Sequence, residues 1–373
     1  MRDVYIIDTN CITPLGFDVE SNFGALLEGK SGITKTEDYH QPVFVSKLKE
    51  ALLDQTFAEI GDSSKYTKLE KMLILALRPL FLNHSISKDT PLIVSTTKGN
   101  IDELQHTNPR RILLNEAAQT VNEFFGLTQQ AIVISNACVS GLLSVAVAKR
   151  MIQAGVYEDA LVVAGDLISE FVLSGFHSFQ AISDAPCRPY DKSRDGITLG
   201  EASAAVYIST EKSKSPHLSV KILGEGAIND ANHISGPSRT GEGLYKSIVS
   251  AFAEAEIDAN TIDFISAHGT ATIYNDEMEA IAFNRASLAD VPLNSLKGYY
   301  GHTLGASGML ETIISIESAC RNVLIPSVGY ETSGISQPLN IIENNQQRDI
   351  KYFLKTASGF GGCNIAVLFE KIA

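Results

Sequence analysis

The sequence predicts an α/β protein built of two similar lobes, and three observations carry that reading. Short apolar runs alternate with long helical runs along the whole chain. Each half holds a buried strand that enters a Gly- or Ser-containing corner and then a long apolar helix, first around Cys138 and again around His302. A polar segment, "TEKSKSPH" from Thr210 to His217, reads as the hinge. The expected division is therefore a lobe of residues 1–212 carrying Cys138 and a lobe of residues 213–373 carrying His268, Lys297 and His302, with a site between them.

The elements follow in order. "VYIID" and "PLIVST" read as strands, and "YTKLEKMLILALRPLFL" between them as an amphipathic helix. "QAIVIS" is a buried strand. The run after it places Leu142, Val145, Ala146 and Lys149 at helical spacing, so Cys138 falls at a strand-to-helix corner. "DALVVAGD" and "ASAAVYIS" complete the first half. The second half repeats the alternation with "LSVKILGEGA", the helix "LYKSIVSAFAEAEI", the strand "IDFISAH" and the helix "DEMEAIAFNRA". "VPLNSLKGYYGH" comes next, the helix "GMLETIISIESACRN" follows, and the strands "KYFLKTASG" and "NIAVLFEKI" close the chain.

Composition narrows the class. The chain has 373 residues, 44% of them hydrophobic, enough for one large core or two smaller ones. Its five cysteines (Cys11, Cys138, Cys187, Cys320 and Cys363) lie without close pairs, which suggests neither a disulfide framework nor a zinc site and fits a reducing cytoplasm. No apolar stretch approaches the length of a membrane span, and Met1 is followed by Arg2, Asp3 and an immediate strand instead of a signal-peptide core. A net charge of −13 argues against nucleic acid as the main partner.

Chemistry concentrates at a few positions. Cys138 beside a helix start would meet unpaired backbone N–H groups and the positive end of the helix dipole, which favour a thiolate. "ISAHGTAT" places His268 at a strand end, and "LKGYYGHTLGASGMLE" adds Lys297 and His302 in a glycine-rich loop that opens a helix. A cysteine and two histidines at analogous corners suit nucleophilic catalysis better than three separate structural roles.

"NACVSG", "AHGTAT", "LKGYYGHTLGASGMLE" and "GFGGCN" stand in the order and context of the β-ketoacyl-[acyl-carrier-protein] synthases of the elongating, Cys-His-His type. "CITPLGFDVESNFGALLEGKSGI" resembles that family's opening strand, loop and helix, and "CRPYDKSRDGITLGEASAAVYI" its mid-chain segment, so the resemblance spans nearly the whole chain. It implies a thiolase-like fold, two βαβαβ-type lobes forming a layered αβαβα sandwich. It implies decarboxylative condensation of malonyl-carrier protein with an acyl group held on Cys138. His268 and His302 then stabilise the enolate, Lys297 pairs with Glu311 behind them, and the backbone N–H groups of Cys138 and Phe360 hold the oxyanion. Phe360 would also gate the cysteine, and Thr270 and Thr272 would bind the phosphopantetheine arm. No metal or organic cofactor is implied. The partners implied are acyl carrier protein and a second subunit, as a homodimer or a heterodimer with a related chain. Lys65, Lys68 and Lys71 resemble the family's carrier-binding patch.

Departures bear on the substrate. "NACVSG", "LKGYYGH" and "AGDLI" differ from the usual family motifs, and the stretch after "STTKGN" is abbreviated. A specialised synthase for a polyene or pigment therefore stands beside fatty-acid elongation. A thiolase using Cys363 as base and a non-catalytic partner subunit are the remaining alternatives.

Overall fold

The computed structural model describes residues 2–105, 109–212, 220–230 and 236–372. Residues 213–217 of the expected hinge lie outside these. Within the first half, strands β1 (Tyr5–Ile12), β2 (Leu92–Ser95), β3 (Ile132–Ile134), β4 (Asp159–Asp166) and β5 (Ala202–Ser209) pair in the order β3-β2-β4-β5-β1. In the second, β6 (Val220–Asn229), β7 (Phe264–Ser266), β8 (Leu293–Asn294), β9 (Tyr352–Gly359) and β10 (Cys363–Lys371) pair in the order β8-β7-β9-β10-β6. The order is the same in both halves. So is the pattern of direction, with two parallel pairings followed by two antiparallel ones. The halves join into one ten-stranded sheet where Tyr5 and Ile6 pair with Lys221 and Val220.

Among the described residues, the α-helices of nine residues or more are α1 (Val19–Leu27), α2 (Lys68–Asn83), α3 (Leu114–Phe124), α4 (Ser140–Gln153), α5 (Glu170–Ser178), α6 (Glu242–Ala255), α7 (Ile273–Arg285) and α8 (Ser307–Arg321). α4 and α8 pack on each other and against strands of both half-sheets. α2 and α3 cover the outer face of the first half-sheet, and α6 and α7 that of the second. Five layers result, alternating α, β, α, β, α.

Burial on every side explains the sequence of α8. Met309, Leu310, Ile313, Ile314, Ile316 and Ala319 are buried in one apolar cluster with the α4 side chains Leu142, Val145 and Ile152, each large side chain contributing about 1.5–3 kcal/mol. Polar residues on α8 are buried too, and they bond back to their own helix: Thr312 Oγ1 donates to Gly308 O at 2.7 Å and Ser315 Oγ to Glu311 O at 2.7 Å. That satisfies the hydroxyls without water.

The run before His302 divides into two conformations. "VPLNSLKGYYGH" is not one strand: only Leu293–Asn294 pair, and Lys297–Tyr300 form a one-turn helix. Gly301 then takes φ 68° to redirect the chain toward His302. The apolar residues of the run are buried by both conformations, so apolar character alone does not separate them.

Glycines set the spacing of the central helices. A Cβ on Gly141 would lie 2.6 Å from Gly305 O, and one on Gly308 would lie 2.9 Å from Leu142 Cβ. Gly141→Ala is expected to push α4 and α8 apart, costing about 1–3 kcal/mol. Denaturant unfolding should show that loss; an unchanged midpoint would contradict the close packing.

Candidate active site

Cys138 sits on a constrained corner. Ala137 before it adopts a left-handed φ of 43°, a conformation an alanine holds only when its surroundings enforce it. Ser140, the first residue of α4, supplies that constraint: its Oγ accepts from Asn136 N at 2.7 Å and donates to Ala137 O at 2.6 Å. The thiol is 8% exposed and lines a cavity of about 330 Å³.

The second half brings the histidines to the same cavity. His268 follows β7, and its loop is held by carboxylates of α7. Glu279 accepts from the N–H groups of His268 and Gly269 at 2.8 and 2.7 Å, and Asp276 accepts from Thr270 N at 2.9 Å. His302 is tied to the first half, its backbone N donating to Thr198 O at 2.6 Å. The Cys138 sulfur and a ring nitrogen of each histidine lie within 4.8 Å of one another, and the imidazole planes cross at 84° with centroids 5.2 Å apart.

The hydrogen bonds assign the tautomers. Leu304 N–H donates to His302 Nδ1 at 3.1 Å, and the Lys297 ammonium lies 3.4 Å from His268 Nδ1. Each Nδ1 is thereby an acceptor, and each ring carries its proton on Nε2. Burial, reinforced by the charge of Lys297, holds both imidazoles well below the usual histidine range, so both are neutral N–H donors.

Cys138 differs from the sequence expectation. Burial, with Cys363 nearby, pushes its thiol up to about 12, although Lys297, Lys98 and the Phe360 backbone N–H act in the opposite direction. The resting group is a thiol, not a thiolate. Desolvation of the charged sulfur outweighs the two lysines and the Phe360 N–H.

Behind the histidines, Lys297 and Glu311 form a buried ion pair at 2.7 Å, and Lys297 Nζ also donates to His268 O. The sequence reading missed a third member. Lys355 on β9 is completely buried and lies 2.8 Å from the other Glu311 oxygen. It also missed Asp166 at the end of β4. Buried and held above the ordinary carboxylate range by desolvation, Asp166 accepts from Thr96 Oγ1 at 2.8 Å, from Thr97, and from Gly305 N at 2.8 Å. That ties the His302 loop to the first half-sheet. The sequence signal for Lys355 and Asp166 was a charge inside an otherwise apolar strand.

The remaining expected residues divide. Phe360 lies at the cavity and is flanked by Phe176 and Phe179, with centroids 5.5 and 5.3 Å away. Its N–H reaches the Cys138 sulfur. The positive φ of Gly361 and Gly362, 85° and 80°, makes the tight turn after it. Thr270 and Thr272 line the cavity with their hydroxyls 2.9 Å apart, and Thr272 also caps α7 through Asn275 N. The three lysines do not form a surface patch. Lys68 is spent on Glu201 at 2.6 Å, Lys71 is buried against Asp54, and only Lys65 stands exposed, beside Asp62. Helical spacing placed them together, but the α2 start that carries Lys68 and Lys71 is turned inward by its apolar neighbours Leu69, Met72 and Leu73.

This geometry has relatives. The family model of the β-ketoacyl synthase N-terminal domain matches residues 1–214, and that of the C-terminal domain matches residues 220–331. The chain belongs to the β-ketoacyl synthase family. Across the family, it is 27% identical to a putative mitochondrial 3-oxoacyl-[acyl-carrier-protein] synthase of Schizosaccharomyces pombe, with 100% of this chain and 99% of that protein covered. It is 28% identical to 3-oxoacyl-[acyl-carrier-protein] synthase 2 of Coxiella burnetii, with coverage of 100% and 99%. Among solved structures, the ketosynthase ApeO in complex with its chain length factor ApeC from Xenorhabdus doucetiae aligns with a TM-score of 0.87, at 23% identity and coverage of 100% and 98%. The ishigamide ketosynthase/chain length factor aligns with a TM-score of 0.88, at 22% identity and full coverage of both chains. The five-layered architecture is the thiolase-like fold of these synthases. No helix among the described residues is long and apolar enough to cross a membrane.

The thiol state has a direct consequence. With the folded-state value near 12, the rate of iodoacetamide alkylation at Cys138 should keep rising through about pH 10, roughly tenfold per pH unit. A plateau near neutrality would show a thiolate instead.

Proposed function

We propose that this chain condenses an acyl group carried on Cys138 with malonyl-acyl carrier protein, losing carbon dioxide and extending the chain by two carbons. The observation that carries this reading is the convergence of one thiol and two neutral Nε2–H imidazoles on a single cavity. In the first step the Cys138 sulfur bonds to the acyl carbonyl carbon, the carrier thioester C–S bond breaks, and the thiol proton leaves on the carrier's sulfur. Neither histidine offers Nε2 as a proton acceptor in its resting tautomer, which supports a role other than base toward the thiol.

In the second step the malonyl C–C bond breaks and its electron pair forms the enolate of the carrier thioester. His268 and His302 donate Nε2–H to the enolate oxygen. The α-carbon then attacks the acyl-Cys138 carbonyl, whose oxygen takes up the charge and is received by the backbone N–H groups of Cys138 and Phe360. As that oxygen returns to a carbonyl the C–S bond breaks, and the sulfur takes up a proton from solvent. Thr270 and Thr272 sit where the phosphopantetheine arm enters, and Phe360, packed between Phe176 and Phe179, gates the cysteine. Lys297 and Glu311 hold His268 in place. The lobe of residues 1–212 contributes the nucleophile and the lobe of residues 213–373 the histidines. The carrier protein is the macromolecular substrate, and a second subunit, identical or related, completes the assembly in the cytoplasm.

Cys363 supports the synthase reading over the thiolase alternative. Its thiol is directed at the Asn136 and Phe360 carbonyls, at 3.8 and 3.4 Å, and burial pushes it up to about 11. A group so engaged is a poor base at neutral pH.

Single-turnover assays test the assignment. Cys138→Ala should lose acyl transfer altogether. His268→Ala and His302→Ala should retain most acylation while carbon dioxide release falls by about two to three decades. Loss of acylation in both histidine variants as complete as in Cys138→Ala, in folded protein, would make the histidines bases for the thiol and overturn the division of labour. A panel of saturated, unsaturated and aryl acyl-carrier thioesters separates fatty-acid elongation from polyene or pigment synthesis.

A further inference from the structure

Lys355 stands apart from the roles assigned above. It is one of two lysines on one buried glutamate: Lys297 Nζ lies 2.7 Å from Glu311 Oε1, and Lys355 Nζ lies 2.8 Å from Oε2. All three side chains are buried. The Lys355 ammonium donates to three carbonyls, Ser266 O at 3.1 Å, Ala267 O at 3.2 Å and Thr356 O at 2.8 Å, with the Glu311 carboxylate beside them. Lys297 takes the next carbonyl, that of His268. Two cations thus grip three consecutive peptide groups at the end of β7, the residues that deliver His268 to the cavity.

We propose that Lys355 is a positioning residue of the condensing site: it fixes the strand end that carries His268 and, with Lys297, surrounds both imidazoles with excess positive charge. The inference rests on the reading that His268 and His302 act as neutral Nε2–H donors. Every element around the rings contributes a charged or titratable group. The one-turn helix supplies Lys297, β9 supplies Lys355, α8 supplies Glu311, α7 supplies Asp276 and Glu279, the corner before α4 supplies Cys138, and the end of β4 supplies Asp166. Asp276 and Glu279 are themselves raised by burial. Both lysines act on His268 and on His302 in the same direction, against a second proton on the ring. A proton on Nδ1 would oppose Lys297 at His268 and the Leu304 N–H at His302, breaking the contacts that orient the rings.

The sign follows. Removing one positive charge makes the rings easier to protonate, so their disorienting second proton arrives at higher pH. Lys355→Met should therefore shift the acid limb of carbon dioxide release from malonyl-carrier protein toward higher pH. The loss should be several-fold under acidic conditions and small above about pH 8. Lys355→Arg, which keeps the charge, should restore the wild-type limb. The histidine titrations followed by 15N NMR should move with the limb, while the alkylation rate of Cys138 stays put. A uniform loss at every pH, or an acid limb unmoved by Lys355→Met, would reduce Lys355 to a structural residue and overturn the proposal. If Lys355→Met does not fold, Lys355→Gln, which keeps donors for the carbonyls, carries the same comparison. Wild-type protein that releases no carbon dioxide would remove the condensation reading, yet the NMR titration would still decide the effect of Lys355 on the rings.

Discussion

The close contact of α4 with α8 is the constraint on which the rest of this molecule depends. The Cys138 corner lies just before α4, and the His302 loop just before α8. Two helices of the central layer, one from each half, can share a start only if their backbones approach closely. Gly141, Gly305 and Gly308 remove the side chains that would hold them apart. The same packing buries α8 on all sides, and its hydroxyls must then find partners within their own helix. Asp166 extends the constraint, bonding at once to the loop after β2 and to Gly305. Cys138 and His302 are thus held by a shared core.

Around that core the site is unusually rich in buried charge. Moving Lys297, Glu311 and Lys355 out of water carries a desolvation cost that ion pairing alone offsets poorly. What makes the cluster tolerable is full use of its donors: three peptide carbonyls for Lys355, and a carbonyl, an imidazole nitrogen and a carboxylate for Lys297. Those carbonyls belong largely to the strand end that presents His268. Electrostatic cost and geometric precision therefore occur at the same place, as expected where hydrogen-bond donors must be aimed before charge develops.

The same low-dielectric environment acts in opposite directions on the two kinds of reacting group. It keeps the imidazoles neutral, which suits donation from Nε2. It also keeps Cys138 protonated, which a helix start by itself would not. In the proposed mechanism acyl transfer couples formation of the S–C bond to departure of a proton, and the carrier thioester supplies the group that takes it.

The sequence by itself determined the alternation of strands and helices, the corner at Cys138, and the motifs around His268, Lys297, His302, Glu311 and Phe360. These are local signals: periodicity, glycine at sharp turns, and short runs whose chemistry is carried by adjacent residues. Only the tertiary structure decided which distant groups meet. Lys355 sits 44 positions after Glu311 and Asp166 sits 139 before Gly305, separations at which no spacing rule operates. It also decided charge state and exposure. Lys68 and Lys71 look like a solvated face until apolar neighbours turn them toward Glu201 and Asp54, and Cys138 looks like a thiolate until burial is counted. Desolvation depends on everything within several ångströms in space, and that neighbourhood is written along the chain only after it has folded.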